Sequence, residues 1–354
     1  MSRDKPSFNV SLINIDMEWA SKLIEVISKG VGSLSAQFVA NQITKAKKYE
    51  IKEIAQAIAE ANNLPVKASY DDGNINILPK DDSINPSLHP EFRAAEFMIR
   101  RESQRLASVE KASLYAAEEL KKFSKEGGKI SKEKINDSWV AKYFDEVGNL
   151  REEKALKYWG KLLAGEIKQP GSYSTRTLNL LGNTTKEEAE LIRHALNHVI
   201  LVSNPKIENY KYRDNFGFIY FKIKPEGYKK PVLTHYNSEI LSSIGIIGAS
   251  DSSVMLLKNG KREHLFYCGD YALRISRNKS DNLDKKIRSG KVRLLTTIGL
   301  ELLGLHQSKV NENYLISIAS QESRKNLNSS LYQGIYFEKK RIKFKKTIKE
   351  FKQD

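Results

Sequence analysis

The chain has 354 residues, a net charge of +16 from 59 basic and 43 acidic residues, and a single cysteine, Cys268. Its length predicts two or three domains, and one cysteine excludes both an internal disulfide framework and a cysteine-based zinc cluster. No run of eighteen apolar residues is present to cross a membrane, and residues 1–14 lack a secretory signal, so we expect a cytoplasmic protein.

The excess of positive charge predicts an affinity for polyanions, a class that includes nucleic acid, anionic lipid and acidic proteins. Charge alone does not choose among these partners. A lysine-rich composition with no dedicated partner explains the same net charge equally well, and that alternative stays open.

Residues 1–63 have the pattern of amphipathic helices. Leu23 and Ile27 recur at a spacing of four, which places them on one helix face. Gly30 and Gly32 predict a break within the segment. We expect the apolar face to pack in a core or between copies of the chain, and a helix lying in a membrane interface is the alternative.

Residues 64–90 predict a linker, because they combine four prolines with Asp-Gly and Asp-Asp pairs that favour turns. A central helical module follows over residues 91–203. It begins with a long amphipathic helix at Glu91–Phe123, whose charged side is rich in arginine and glutamate. Later in the module, Thr184 and Thr185 each have the spacing of a helix capping box.

The most distinctive stretch combines aromatic anchors, a Leu-Leu-Ala-Gly-Glu sequence and a Pro-Gly-Ser turn. Its motif positions are Trp139, Phe144, Trp159, Gly165, Glu166, Pro170, Gly171, Ser174 and Arg176. The two tryptophans are large apolar anchors for a helical bundle, and the glycines let the chain turn sharply. Glu166 and Arg176 flank the turn, so we predict an ion pair that fixes it rather than a catalytic role.

These motifs closely resemble a sporadically distributed bacterial family known only as a domain of unknown function, and they are more distantly similar to the abortive-infection alpha family. The likeness is strongest over residues 137–196. Two later segments, Leu241–Ile247 and Leu294–Leu302, are similar to elements of winged helices and of abortive-infection alpha proteins. The resemblance implies a helical module and a winged-helix-like domain, in a gene associated with prophages or phage defence, and it implies no reaction.

Residues 204–333 alternate strand-forming and helix-forming segments. Together with the resemblance, this pattern predicts an α+β fold, with mostly helical N-terminal and central modules and a C-terminal winged-helix-like α/β domain. Residues 334–354 form a basic tail in which aromatic residues are interleaved with basic ones. The candidate nucleic-acid-binding residues of this tail are Lys339, Lys340, Arg341, Lys343, Lys345 and Lys346. A strand and helix packed on the body, with lysines facing water, is the alternative.

No catalytic or metal-binding pattern in the sequence is complete. Phosphate loops, dinucleotide fingerprints, kinase motifs and nucleophile elbows are missing. His194 and His198 have a metal-binding spacing but lack a third ligand, so we expect no metal and no cofactor. Asp251 and Asp270 are the acidic pair that a divergent nuclease would use, although no acidic-x-Lys pair accompanies them. Cys268 is expected to be a buried, inert thiol.

The function that the sequence favours is non-enzymatic, in prophage or phage-defence biology, through binding to a protein or a nucleic acid. A membrane-acting abortive-infection effector and a divergent metal-dependent nuclease are the alternatives. The sequence predicts no transmembrane segment, and it leaves peripheral membrane contact and homo-oligomerisation open.

Overall fold

The chain divides into two compact units, Met1–Gly171 and Ser172–Asp354. The computed structural model describes residues 18–32, 35–37, 39–40, 59–60, 66–71, 74–81, 83, 85, 87, 89–203, 215–278, 283–306, 309–323, 327–338 and 341–351. The sequence predicts a later boundary, after residue 203. The two helices within residues 175–196 belong to the second unit, and side chains such as Ile192 and Leu196 lie in its core.

The first unit is mainly helical. Its described elements are α1 (Glu18–Val31), β1 (Val66–Asp71), β2 (Asn74–Pro79), α2 (Pro90–Lys125), α3 (Asp137–Gly148) and α4 (Glu153–Lys168). The break predicted at the glycines is confirmed, since α1 ends at Val31 and Gly32 has a φ of 98°. Most of the helical pattern predicted after that point lies outside the described residues.

Residues 64–90, predicted as a linker, contain an antiparallel hairpin. β1 pairs with β2 so that Val66 lies opposite Pro79 and Asp71 lies opposite Asn74. An Asp-Gly pair between two strand-forming segments is a strong hairpin signal. The linker prediction is wrong for this stretch because it gave weight only to the turn residues.

Helices α1 to α4 pack against one another around a buried core. α1 buries Trp19, Leu23 and Ile27 within the unit. Gly160 of α4 lies so close to α2 that a Cβ atom there would lie 2.8 Å from the carbonyl oxygen of Ala112. The amphipathic face of α1 is therefore already covered by protein, as the core interpretation expects.

The second unit combines helices with an antiparallel sheet. Its described helices are α5 (Thr175–Asn183), α6 (Lys186–Leu196), α7 (His235–Ser243), α8 (Thr297–Leu305) and α9 (Glu312–Ser323). Its described strands are β3 (Ile200–Leu201), β4 (Gly217–Ile219), β5 (Met255–Leu257), β6 (Glu263–Cys268), β7 (Tyr271–Arg277), β8 (Ile287–Arg288), β9 (Arg293–Leu294), β10 (Leu327–Glu338) and β11 (Arg341–Phe351). Seven of them form a sheet in the order β11-β10-β7-β6-β3-β4-β9, and β5 pairs with β8. The predicted α+β class is confirmed.

A continuous hydrophobic core joins this sheet to its helices. The rings of Phe218 and Phe266 meet edge to face there, with centroids 6.0 Å apart. β4 is shorter than the strand predicted over residues 216–224. It ends at Ile219 because the amide of Tyr220 donates to the hydroxyl of Tyr314, at 3.0 Å, instead of to a neighbouring strand.

The two segments that are similar to winged helices lie side by side. Leu241–Ile247 runs from the end of α7 into an isolated bridge between Ile247 and Leu295, and the amide of Thr296 donates to the carbonyl of Ile246 at 3.0 Å. Thr296 then caps α8. The sheet has more strands than the wing of a winged helix supplies, and the winged-helix comparison stays a prediction.

The basic tail begins as a strand of the sheet. β11 pairs with β10 along its length and is the last strand in the sheet order, so its outer edge has no neighbouring strand among the described residues. The strand of the packed alternative is present at Arg341–Phe351, and nucleic-acid binding by its lysines stays a prediction. Lys339 and Lys340 lie outside the described residues.

Candidate functional site

The aromatic motif residues form a buried cluster in the first unit. The ring of Tyr143 stacks on Trp139, with centroids 5.3 Å apart, and meets Phe144 edge to face at 5.1 Å. The hydroxyl of Tyr143 donates to the carbonyl oxygen of Trp159 at 3.0 Å. Burial raises the pKa of this phenol well above its ordinary value, so it stays neutral. These contacts indicate that the aromatic motif residues stabilise the packing of the first unit.

The Pro-Gly turn is held from within the first unit. Gly165 lies near the end of α4, and the buried carboxylate of Glu166 accepts a hydrogen bond from the amide of Gly171 at 2.5 Å. Gly171 follows the buried Pro170 and has a φ of 75°, which glycine adopts without strain. Arg176 is exposed in the second unit. Its predicted ion pair with Glu166 would link the two units and stays a prediction.

The first turn of α5 binds a buried carboxylate within the second unit. Glu301 of α8 is 1% exposed. It accepts hydrogen bonds from the amide of Ser174 at 2.7 Å, from the hydroxyl of Ser174 at 3.0 Å and from the hydroxyl of Thr177 at 2.5 Å. Ser174 of the motif and Glu301 of the Leu294–Leu302 segment, which lie far apart in sequence, are thus parts of one polar contact. This contact carries no local signal in the sequence, because 127 residues separate Glu301 from Ser174.

The histidine pair and the cysteine are packed into the core of the second unit. Nδ1 of His198 lies 2.8 Å from the carbonyl oxygen of His194, and Nε2 of His194 lies 2.9 Å from that of Val232. Burial lowers the pKa of His198 to about 4 and raises the pKa of the Cys268 thiol to about 12. In the part of the chain that the structure describes, no three His, Cys, Asp or Glu side chains come together as a metal site.

The acidic residues of the nuclease alternative have structural surroundings. Asp251 is ion-paired with Lys291 at 3.3 Å and with the buried Arg293 at 3.4 Å. The guanidinium of Arg293 also donates to the carbonyl oxygen of Gly248, at 3.2 Å, which fixes the turn after α7. Asp270 lies exposed in the turn between β6 and β7.

β11 carries a row of exposed lysines that we call the basic strand lysines. They are Lys343, Lys345, Lys346 and Lys349. None of them has an ion-pair partner among the described residues. Several lysines of the first unit, by contrast, are neutralised locally, such as Lys142, which lies 2.7 Å from Glu146. The basic strand therefore presents uncompensated positive charge to solvent.

The apolar residues of β11 pack on the core of the second unit. The partly buried ones are Ile342, Phe344, Ile348 and Phe351. The ring of Phe344 stacks on Tyr332 with centroids 4.4 Å apart, and the guanidinium of Arg274 lies 5.1 Å from the centroid of Tyr332. Over residues 342–345 the apolar and basic side chains thus alternate between core and solvent. The ring of Phe344 therefore packs on Tyr332 instead of facing a ligand.

A cleft of about 410 Å³ lies beside the carboxyl end of β11. Its walls come from the segment after β4, from α9 and from β11, and its charged residues are Lys222, Lys224, Glu226 and Lys349. Three lysines against one glutamate give the cleft a positive potential. Lys222 and Lys224 carried no signal in the sequence, because only the fold brings them next to β11.

A family model described as Protein of unknown function (DUF2806) matches residues 93–319. The match includes the aromatic motif, Ser174 and Glu301, while β10 and β11 lie beyond it. No curated protein and no solved structure matches the chain. The interpretation of the basic strand therefore rests on the geometry of this chain.

Proposed function

Since the chain belongs to the DUF2806 family, whose function is unknown, we propose from its geometry that it binds nucleic acid through the basic strand and the cleft. One observation carries the proposal. Four lysines on β11, none with an ion-pair partner in the described part of the chain, continue through Lys349 into a cleft that holds Lys222 and Lys224. Six lysines, none of them ion-paired to another described residue, are thus collected on one part of the second unit.

The arrangement suits a polymer of phosphates. Lysine ammonium groups bind phosphate as point charges, and neutralising several phosphates releases counterions, which supplies most of the affinity of sequence-independent binding. Lys343 and Lys345 are two residues apart on an extended strand, a separation of about 6.8 Å along the chain. A row at this spacing offers contacts to successive phosphates, whereas a single small anion would use only one or two of the lysines.

The proposed setting is prophage or phage defence, in which the protein acts by holding its nucleic acid rather than by a reaction of its own. The family resemblance supports the setting. The packing of His198 and Cys268 and the ion pairs of Asp251 support a role without catalysis. For a membrane-acting effector there is less support, because the apolar face of α1 is buried. Among the described residues, no helix is both long and apolar enough to cross a bilayer.

The first test replaces the basic strand lysines. A variant with Lys343→Gln, Lys345→Gln, Lys346→Gln and Lys349→Gln removes four positive charges from exposed positions. Affinity for labelled nucleic acid, measured by fluorescence polarisation across a salt series, should fall. The slope of log affinity against log salt should become shallower by about three, since each lost phosphate contact removes about 0.7 to 0.9 from it.

A matched control removes the same charge elsewhere. Lys121, Lys122, Lys125 and Lys129 are exposed in the first unit, and their replacement by Gln changes the net charge equally. The control should keep the wild-type slope within about one unit. Equal losses in both variants would show that net charge, and not the basic strand, governs binding.

A further inference from the structure

We infer that the cleft beside β11 receives one unstacked nucleotide base, so that the protein prefers single-stranded nucleic acid to a duplex. The inference rests on the proposed nucleic-acid binding and names the form of the polymer. It is carried by the size of the cleft, by the side chains that line it and by its position at the end of the basic strand.

The volume of the cleft and the lysines on its walls suit a nucleotide. At about 410 Å³ the cleft has the volume of sites that take small organic ligands, and it is open to solvent. Lys222 and Lys224 are exposed on one wall, and Lys349 is exposed on another. A nucleotide placed between these walls has ammonium groups available to its phosphate on either side.

Polar side chains in the cleft have free hydrogen-bonding capacity. Ser320 and Gln321 of α9 are half-buried, and within the described part of the chain their side chains have no hydrogen-bond partner. The hydroxyl of Ser317 donates to the carbonyl oxygen of Asn313 at 2.7 Å, which leaves its lone pairs able to accept. An amide and two hydroxyls together offer both donors and acceptors. That combination matches the edge of a base, whereas a phosphate needs donors only.

One aromatic ring borders the cleft. Phe351 is only partly buried, and Nζ of Lys349 lies 5.3 Å from its ring centroid. Because the Lys349 ammonium lies over the ring, a base that stacks there would displace it toward the phosphate of the same nucleotide. Stacking on an aromatic side chain is tolerant of base identity, which fits a protein that reads the backbone along β11.

The geometry excludes a base that remains in a duplex. Base faces are stacked and base edges are paired in a double helix, so only an unpaired nucleotide can present both to Phe351 and Gln321. Lys343, Lys345 and Lys346 lie along the same strand that leads to the cleft. They would bind the backbone on one side of the inserted base.

The test compares three labelled probes of one length and fluorophore: a single-stranded DNA, the same strand with abasic sites in place of its bases, and a blunt duplex. Wild-type protein should bind the base-containing single strand about fivefold or more tightly than the other two, since stacking on an aromatic side chain is of that size. A variant with Ser320→Ala and Gln321→Ala should lose this preference and keep its affinity for the abasic strand. Phe351→Leu should act in the same direction.

Gln333→Ala provides the matched control. Gln333 is also half-buried, lies on β10 and does not line the cleft, so its replacement should leave the preference for bases unchanged. Circular dichroism and thermal unfolding of each variant check that the fold is retained. The Ser320 and Gln321 substitutions break no side-chain hydrogen bond to a described residue, and they are the informative pair if Phe351→Leu unfolds the protein.

The outcomes separate the two proposals. Equal affinity for all three probes, with an intact salt slope, overturns the base pocket and leaves binding by the basic strand standing. A base preference that survives in the Ser320 and Gln321 variant also overturns the pocket. Absence of salt-dependent binding to every probe overturns the proposed function, and the pocket with it.

Discussion

The carboxylate of Glu301 accepts three hydrogen bonds from Ser174 and Thr177, and its side chain is almost completely buried. Hydrogen bonds to a charged group are stronger than those between neutral groups, and removing the acceptor leaves buried donors without partners. The side chain therefore holds the start of α5 against α8. This is a structural role, and it accounts for a motif serine without any chemistry.

At the residue scale we predict that Glu301→Ala lowers the free energy of unfolding of the second unit by about 3 kcal/mol, because the amide of Ser174 and the hydroxyls of Ser174 and the buried Thr177 lose their carboxylate acceptor. Denaturant unfolding followed by circular dichroism measures the change. Glu190→Ala, at an exposed position on α6, is the control and should change stability by no more than about 0.5 kcal/mol. Coincident unfolding curves for the two variants would contradict the role assigned to Glu301.

Helix packing in the first unit depends on the absence of a side chain at Gly160. A Cβ atom at this position would lie 2.6 Å from Cβ of Tyr115 and 2.8 Å from the backbone oxygen of Ala112. Neither atom is at the end of a flexible side chain, so relief requires that α2 and α4 move apart. Packing around the buried aromatic cluster would then loosen.

At the element scale we predict that Gly160→Ala destabilises the first unit by about 1 to 3 kcal/mol, the usual cost of overpacking, despite the better helix propensity of alanine. Gly248→Ala is the matched control. Its Cβ would lie 3.8 Å from the nearest atom, an ordinary contact, and its φ is not left-handed. Thermal unfolding should show a lower midpoint for the Gly160 variant alone, and an unchanged midpoint would contradict the close approach of α2 and α4.

Elements with local signals could be predicted from the sequence, and elements defined by distant partners could not. Thr185 forms the expected capping box with Glu188, and the long helix at Pro90–Lys125 follows its apolar spacing. β4 stops early because of Tyr314, which lies 94 residues further along the chain.

The same distinction applies to the candidate site. Lys343, Lys345 and Lys346 were predictable as candidates because they lie close together in the basic tail, whereas Lys349 was not among the predicted residues. Their neighbours Lys222 and Lys224 and the polar residues of α9 were not, since only the fold places these three segments around one cleft. Glu301 escaped prediction for the same reason, because 127 residues separate it from Ser174.

At the scale of the whole molecule, the chain has a net charge of +16, and its lysines fall into two groups. Some, such as Lys142, pair with an acidic side chain, whereas those of β11 and the cleft have no ion-pair partner among the described residues. Lysines on an edge strand also discourage pairing with another chain, and this explains part of the composition of β11 without a ligand. It does not explain Lys222 and Lys224, which lie off that edge strand and share a cleft with Lys349. The binding interpretation accounts for both groups with one polyanion.

The most direct test of this account locates the bound nucleic acid on the protein. Full-length protein is irradiated with a single-stranded RNA that carries photoreactive uridines, and the crosslinked peptides are identified by mass spectrometry. We predict crosslinks in Arg341–Phe351 and in the segments that hold Lys222, Lys224 and Gln321, and their loss when unlabelled single strand competes. Crosslinks confined to the first unit, or spread evenly over exposed lysines of both units, would contradict the basic strand as the binding site.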